Sequence, residues 1–489
     1  MIGRMIMTVG IFLSAMLLLA GCAADKTDTS KQSAPAQAVE STETAEQTEM
    51  EELPETAKDL TAADLPDANY DGYAFRILAR KGQIVDQYLA EDDEDAVRSA
   101  VFKRNKAVEE RYHITIEGFE SSNGNYETDA LNTILAGDDA YDVIFPHSRA
   151  AMAYAMQDAL YNVYDIPSID TAQPWWSKAL KNDFEVGGKL YFLDGDISMH
   201  SLHHAMCLFF NKRIFDELGF DYPYEMVNNG TWTFDEFAYL AKKGGKDLNG
   251  DGLMDPADDQ YGMFDSDWFG PIEILYTGGQ RIFSKNDEGL LELSLYNSKT
   301  VEIFDRYFNL TDNENCYLRL SDRPAYTESL FRQGRAMMGY ASLGFAAEHR
   351  NMEDDFGIIP WPKYDEDDDY AAIVNAFAHV AVIPVTVPDP ERTGTILTAL
   401  AAYGRETVIP AFYDVALKTK YARDDESEKM IDIIRDHTVY DIGYIANGSL
   451  SSVGVTVARR DGHDFSSYYA AFEGAGKLEV TELNEALAS

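Results

Sequence analysis

Cysteine is scarce in this chain, with three among 489 residues. With Cys22 set aside, only Cys207 and Cys316 remain, enough for one bridge or for two buried thiols, and a disulfide-stapled scaffold is excluded. Basic residues are also in deficit: 41 Lys and Arg stand against 84 Asp and Glu, a formal charge of -43. Such a chain is repelled by phosphate backbones, which argues against nucleic acid as a partner, and by anionic headgroups; neutral and cationic ligands stay open. Beyond the first twenty or so residues no apolar run approaches the length of a transmembrane helix. Catalytic patterns are thin as well. Around Ser342 the first glycine of Gly-x-Ser-x-Gly is replaced by Tyr340, and Gly474-Ala-Gly-Lys477 lacks both the first P-loop glycine and the following Ser or Thr. Acidic pairs are so numerous that choosing two as a glycosidase acid and base is arbitrary. What is abundant is core material: 45% hydrophobic and 12% aromatic residues supply two or three domains.

The chain opens with Arg4 followed by an apolar run from Ile6 to Ala20, the grammar of a secretory signal. Leu19-Ala20-Gly21-Cys22 resembles the lipobox of bacterial lipoproteins. The resemblance implies cleavage after residue 21 and lipidation of Cys22, so that the membrane is reached through N-terminal lipid only. Residues 22–61 are acidic and polar, with no aromatic residue, and are expected to form a disordered tether. A coil of that length spans on the order of 35 Å, at roughly 5–6 Å times the square root of the residue count.

Globular pattern starts near Tyr70. Strands are predicted at Tyr73 to Ala79, His113 to Glu117 and Tyr141 to Phe145, with helices at Asp95 to Tyr112 and Thr128 to Leu135 between them. Strand, helix, strand, helix, strand at this spacing means βαβ units and an α/β domain. In such a sheet ligands sit beyond the carboxyl ends of the strands. That singles out Arg80 and Lys81 after the first strand, and His147, Ser148 and Arg149 after the third. A second group of elements follows Asp196. It includes a strand at Ala205 to Phe210 and a helix opened by Thr231-Trp-Thr-Phe-Asp-Glu-Phe237, where Thr233 and Glu236 have capping-box spacing. Phe356 to Pro360 and Phe377 to Pro384 are strand-like, and Thr393 to Tyr403 and Glu426 to His437 are helical.

Leu208-Phe-Phe-Asn-Lys-Arg-Ile-Phe-Asp-Glu-Leu-Gly219 followed by Thr231 to Phe237 resembles a signature of bacterial extracellular solute-binding proteins of family 1. So do Phe331-Arg-Gln-Gly-Arg-Ala-Met-Met-Gly339, Gly357-Ile-Ile-Pro-Trp-Pro362 and Ile383-Pro-Val-Thr-Val-Pro-Asp-Pro390. The resemblance covers about Tyr70 to Tyr403. It implies a two-lobed α/β fold of the periplasmic-binding-protein type II, with discontinuous lobes joined by a hinge. It further implies a monomer outside the cell that binds without turnover, capturing a carbohydrate by hinge closure and delivering it to the permease subunits of an ABC importer. The expected lobes are 62–197 with 342–386, and 198–341 with 387–489. The rival readings are a surface-anchored glycan hydrolase and a binder of a non-sugar nutrient, such as a peptide, on the same scaffold.

Sugars present apolar C–H faces and hydroxyl edges, so their sites pair aromatic platforms with carboxylates, amides and Arg. Trp268, in a Gly-bounded loop, is the tryptophan expected at a ligand, while Trp232 and Trp361 read as core. Tyr340, Asp196 and His200 lie at the inferred crossings between lobes and complete the candidate set. His203 and His204 stand beside His200 without a Cys or Glu at ligand spacing, so hinge packing is preferred over metal binding. The most specific local chemistry is elsewhere. Asp247, Asn249 and Asp251 occupy positions 1, 3 and 5 of an EF-hand-like loop with Gly252 at 6, the Leu253 carbonyl at 7, Asp255 at 9 and Asp258 at 12. Hard oxygen donors around a glycine turn suit a structural Ca²⁺, although Asp in place of Glu at position 12 shortens the last arm.

Overall fold

A computed structural model describes residues 60–82, 87–121, 125–266, 268–320, 330–349, 351–413 and 424–488. Cys22, its lipobox and the tether up to residue 59 lie outside the described residues. Among the described residues no helix is long and apolar enough to cross a membrane.

The first sheet is the βαβαβ unit expected from the pattern. β1 (Tyr73–Arg80) pairs in parallel with β2 (Ile114–Ser121) on one side and β3 (Val143–Phe145) on the other, giving the order β2-β1-β3. β3 is buried on all three residues, as a central parallel strand must be. Helix α1 (Ala96–Tyr112) starts where the Asp95 carboxylate accepts hydrogen bonds from Val97 N and Arg98 N, and stops where His113 turns left-handed at φ 50°. Helix α2 (Tyr126–Leu135) follows β2, and α3 (Ser148–Ala155) follows β3 directly. Beyond these lie α4 (Lys178–Phe184) and the single turn α5 (His200–His203).

The second sheet has five strands in the order β10-β4-β9-β5-β8. Its members are β4 (Met206–Asn211), β5 (Tyr261–Ser266), β8 (Tyr317–Leu320), β9 (Ala336–Ser342) and β10 (Phe356–Ile359). β4 runs antiparallel to both β9 and β10, whereas β5 runs parallel to β8 and β9. β6 (Phe283–Lys285) and β7 (Leu291–Leu293) form a separate hairpin, and β11 (Ala372–Ile373) pairs in parallel with β12 (Thr438–Val439). The helix Phe234–Gly244 begins at Thr233, but the Thr233 side chain makes no capping bond; Phe234 N donates to Lys363 O at 2.7 Å instead, so tertiary contact replaces the capping box. Trp232 and Trp361 are fully buried, and Trp232 Nε1 donates to Pro360 O at 3.0 Å. Each such side chain contributes roughly 1.5–3 kcal/mol of hydrophobic stabilisation. Cys207 and Cys316 are buried free thiols.

The partition of the chain between the sheets differs from the expected boundaries. β10 falls in the span assigned to the first lobe, yet it pairs with β4 of the second sheet. The chain therefore returns to the first sheet later than Ala341. There Phe377 to Pro384, expected as a strand, makes only isolated bridges: His379 with His147, Val382 with Ile144 and Ala381 with Leu193. The helix Pro390–Ala411, expected in the second lobe, packs against α1. Its stripe of Ile396, Leu397, Leu400, Ala401 and Val408 is buried, and α1 supplies the matching apolar face. Gly404 lets this helix approach the first crossing: a Cβ there would lie 2.0 Å from Asp196 O. Only with the helix Asp425–Asp436, which packs on β10, does the chain rejoin the second sheet.

Candidate functional site

The crossing segments meet beside the carboxyl end of β3. α5 and its C-cap His204 lead into β4, and the returning segment lies alongside: Asn375 N donates to His204 O at 3.2 Å, and Ala205 bridges Val374. His147 caps α3 through its backbone and points its ring at the same place.

The result is a run of stacked imidazoles. His147 and His379 have ring centroids 5.0 Å apart, His379 and His200 lie 3.9 Å apart with planes within 11°, and His200 stacks on His204 at 4.3 Å. The hydrogen bonds fix two of the tautomers. His379 N donates to His200 Nδ1 at 2.9 Å, so the His200 proton sits on Nε2. His204 Nδ1 donates to His200 O at 2.9 Å, which leaves its Nε2 as an acceptor. His200 and His379 are each 2% exposed, and neither His200 Nε2 nor either ring nitrogen of His379 has a protein partner. Burial, followed by the charge of neighbouring imidazoles, pushes His200 and His379 well below the ordinary histidine range; Arg80 is close enough to add to the effect on His379. His204 is lowered chiefly by burial, so these three rings are neutral at pH 7. At the far end, His147 Nδ1 lies 3.0 Å from Glu127 Oε1, which also accepts His147 N at 2.8 Å. Burial disfavours ionisation of Glu127, but these bonds outweigh it and hold the carboxyl below its usual value.

Around the imidazoles stand aromatic and cationic groups. Phe377 is 53% exposed and meets the His147 ring edge-on at 5.4 Å. Arg149 Nη2 donates to Tyr444 O at 3.4 Å and its guanidinium lies 5.9 Å from the Tyr444 ring, while Arg149 Nε has no partner. Tyr444 belongs to the short helix Ile442–Ile445, which Asp441 caps and ties to the second lobe by accepting Ile282 N at 3.1 Å. Arg149 is thus a strut from one lobe to the other. Ser148 serves the backbone, its Oγ donating to Ala376 O at 3.1 Å in a fully buried position.

Of the residues expected at a ligand, the structure brings together Arg80, His147, Ser148, Arg149 and His200. Lys81 is exposed next to Arg80. Three others are elsewhere. Tyr340 is 5% exposed and donates to Glu273 Oε2 at 2.5 Å inside the second lobe, because β9 is covered on both faces. Trp268 is half exposed with Arg459 above its ring at 5.5 Å. Asp196 is ion-paired with Arg405 at 2.9 Å beside a cavity of about 500 Å³ on the opposite side of α5. Only the imidazole face, and not this cavity, stands at the carboxyl end of a parallel strand, where α/β sheets bind ligands. Sequence reasoning missed His379, Phe377 and Tyr444. The first two sit in a run that reads as an ordinary buried strand, and nothing local marks Tyr444.

The EF-hand-like loop is folded by its own backbone. Asp247 accepts Gly250 N and Gly252 N at 2.6 and 2.8 Å, Asn249 accepts Asp251 N, and Asp251 accepts Leu253 N. The fully buried carboxylate is Asp259, which bonds Leu248 N and Asp255 N at 2.8 Å each, rather than the exposed Asp258. Among the described residues no three His, Cys, Asp or Glu side chains are placed to hold a metal, so an ion here requires the loop donors to draw inward.

Comparison with known proteins agrees with the fold. The sequence pattern described as bacterial extracellular solute-binding protein matches residues 103–404. No curated protein sequence matches. Similar solved structures include a cyclo/maltodextrin-binding protein complexed with maltotetraose, with 14% identity over 85% of this chain and 96% of that one, TM-score 0.54. An ABC transporter solute-binding protein from Thermotoga lettingae bound to α-D-tagatose shares 16% identity over 84% and 100%, TM-score 0.53. UgpB from Mycobacterium tuberculosis in complex with glycerophosphocholine shares 13% over 85% and 98%, TM-score 0.55. These are two-lobed solute-binding proteins, and at such identities the likeness is one of fold.

Proposed function

Because the chain belongs to the bacterial extracellular solute-binding proteins, binding proteins rather than enzymes, we propose that it captures a carbohydrate on the imidazole face. The observation that carries the reading is the set of buried, neutral, unpartnered ring nitrogens beside an exposed phenylalanine. Orphaned donors and acceptors inside a protein call for a ligand able to both give and take hydrogen bonds, which a sugar hydroxyl does. Phe377 offers a flat apolar surface for the C–H face of the ring. Arg80 and Arg149, with His147, reach hydroxyls at the rim, and the shielded ring nitrogens of His200 and His379 join them once the stacked imidazoles part. A ligand held by residues of both lobes favours the closed state, in which Arg149 engages Tyr444.

In this reading Cys22 carries the lipid that tethers the protein outside the cell, and the closed form hands its sugar to ABC permease subunits. The Asp247–Asp258 loop holds a structural Ca²⁺ through Asp247, Asn249, Asp251, the Leu253 carbonyl, Asp255 and Asp258. The fold likeness to a glycerophosphocholine binder supports a second reading, in which a polyol headgroup takes the same place.

The test is thermal unfolding of the full chain, purified in a sugar-free detergent, against mono- and oligosaccharides and glycerophosphocholine, with Ca²⁺ or chelator. A ligand at a thousand times its dissociation constant adds about 4 kcal/mol. A rise in Tm with a sugar that is returned intact, abolished by Phe377→Ala, supports carbohydrate capture. Recovery of the sugar cleaved, or a rise only with the phosphodiester, refutes it.

A further inference from the structure

The two crossings between the lobes are tied to each other at a point that a proton can break. The first crossing runs through α5 and His204 into β4, and the second is the returning segment around His379. Near β4 they meet through backbone alone, where Asn375 N donates to His204 O at 3.2 Å and Ala205 bridges Val374. Nearer to β3 the join is of another kind. His379 N donates to Nδ1 of His200 at 2.9 Å, between two residues that are each 2% exposed. Because Nε2 of His200 carries the ring's proton, Nδ1 is the atom at which this imidazole takes up a second one. It cannot do so while the bond stands, since an N–H donor already occupies that lone pair. Protonation of His200 and the join between the crossings exclude one another.

The surroundings sharpen that conflict. The His379 ring lies between His200 at 3.9 Å and His147 at 5.0 Å, and His204 stacks on His200 at 4.3 Å. A charge on either inner ring faces groups that are cationic or able to become so: Arg80 from the end of β1, His147 from the cap of α3, and His203 and His204 from α5. Arg149, in the first turn of α3, is engaged with Tyr444. The carboxylate that faces the stack, Glu127 on α2, is committed to His147, whose backbone N and Nδ1 lie 2.8 and 3.0 Å from its Oε1. Burial first, and these neighbours second, hold His200 and His379 well below the ordinary histidine range while the crossings are joined. Once the crossings part and the rings meet water, both return towards about 6.5.

We propose that the His200–His379 pair is an acid-released latch on the hinge: neutral rings hold the two crossings together, and proton uptake at His200 Nδ1 frees His379 N and lets the lobes separate. The sign follows from linkage. The joined state binds fewer protons than the parted one, so joining is fully favoured above about pH 6.5 and weakens as pH falls below it. Each imidazole freed in this way favours parting tenfold per pH unit below that value, which amounts to about thirtyfold between pH 7.5 and 5 for His200 alone. The proton comes from solvent and stays on the ring. Opening of the lobes is thereby coupled to the acidity of the surrounding medium. The inference does not depend on what the imidazole face binds, because the latch needs no ligand.

The test is amide hydrogen–deuterium exchange of the full chain, in a sugar-free detergent and without added ligand, at pH 7.5, 6 and 5. Rates are corrected for the intrinsic pH dependence of amide exchange, and the readout is the protection factor of a peptide covering residues 375–382, with a peptide from β1 as reference. Protection of 375–382 is expected to fall at least tenfold from pH 7.5 to 5 while β1 holds its own. His200→Asn, whose Oδ1 accepts from His379 N but takes up no proton in this range, is expected to abolish the fall, and His379→Phe, which keeps a ring in the stack, to retain it. Constant protection in the unaltered protein overturns the latch. So does an equal fall in both peptides, which is general acid unfolding, and so does an undiminished fall in His200→Asn, which puts the responsible proton elsewhere. Should His200→Asn not fold, deuterium exchange at the imidazole Cε1 of His200 in the unaltered protein decides: a titration midpoint below 6 is expected, and one at 6.5 or above overturns the proposal.

Discussion

Glu273 makes the protein's stability depend on pH in a direction opposite to most carboxylates. It lies fully buried on the helix Gly270–Thr277, where its Oε2 takes the Tyr340 hydroxyl and Oε1 the Ile373 amide at 3.1 Å. Burial pushes its pKa up to about 8, although those hydrogen bonds pull the other way. In the unfolded chain the same group titrates near the ordinary glutamate value of 4.5. Between those values the folded state holds a proton that the unfolded state has released, so stability is fully present below the lower value and is lost as pH rises through the upper one. At 1.36 kcal/mol per pH unit, this group alone makes folding about 3.5 kcal/mol weaker at pH 8 than at pH 5. Glu273→Gln keeps the shape and an acceptor for Tyr340 but cannot ionise. Asp183 and Asp194, both raised to about 6 by burial, titrate in either protein and cancel in the difference. Urea unfolding at pH 5, 6, 7 and 8 should therefore show the variant gaining on the unaltered protein with each step, to about 3.5 kcal/mol across the range. A difference that stays flat, or that shrinks with rising pH, would falsify the assignment of a protonated Glu273.

Other outcomes follow from the same reasoning. Burial, helped by Arg332, lowers His349 to about 4 among Phe209, Phe331 and Phe356, so stability falls as pH drops from 6.5 towards 4; His349→Phe should remove about 2.4 kcal/mol of that loss, read by unfolding at pH 4.5 and 7. Arg149→Ala removes the strut to Tyr444 and should weaken ligand affinity several-fold with little change in the Tm of the ligand-free protein, measured by titration calorimetry and melting. Gly404→Ala sets a methyl against Asp196 O and should cost about 1–3 kcal/mol, seen as a lower Tm. Asp259→Ala strips the bonds to Leu248 N and Asp255 N, and should lower Tm and abolish any stabilisation by Ca²⁺; an unchanged chelator response would place the ion elsewhere.

Much of the first sheet was legible because local signals agree there. Asp95 caps α1, β3 reads as a short apolar parallel strand, and the loops at the strand ends carry His147 and Arg149 as expected. What escaped is what depends on pairing across long separations. β10 looks like any strand, and only its register against β4, from Phe356 opposite Asn211 to Ile359 opposite Leu208, assigns it to the second sheet. The helix Pro390–Ala411 has an apolar stripe with no mark of which lobe it covers. His379 reads as one more position in a buried run; its role comes from a ring lying 3.9 Å from His200, nearly two hundred residues earlier. Tyr340 failed for the reverse reason, since a hydroxyl near a crossing invites a ligand while its actual partner, Glu273, is supplied by a distant helix.

The late return of that helix to α1 bears on how the protein is made. β1, β2 and β3 emerge early from the ribosome, yet the face of α1 stays uncovered until residues 390–411 have been synthesised. Loop closure over such a distance is slow, and an incomplete sheet with an open helix face gains little from folding early. The first sheet can therefore gain its full helical cover only after most of the chain has been made. The layer of helices over the first sheet is thus closed by a segment more than two hundred residues downstream of the last strand it covers.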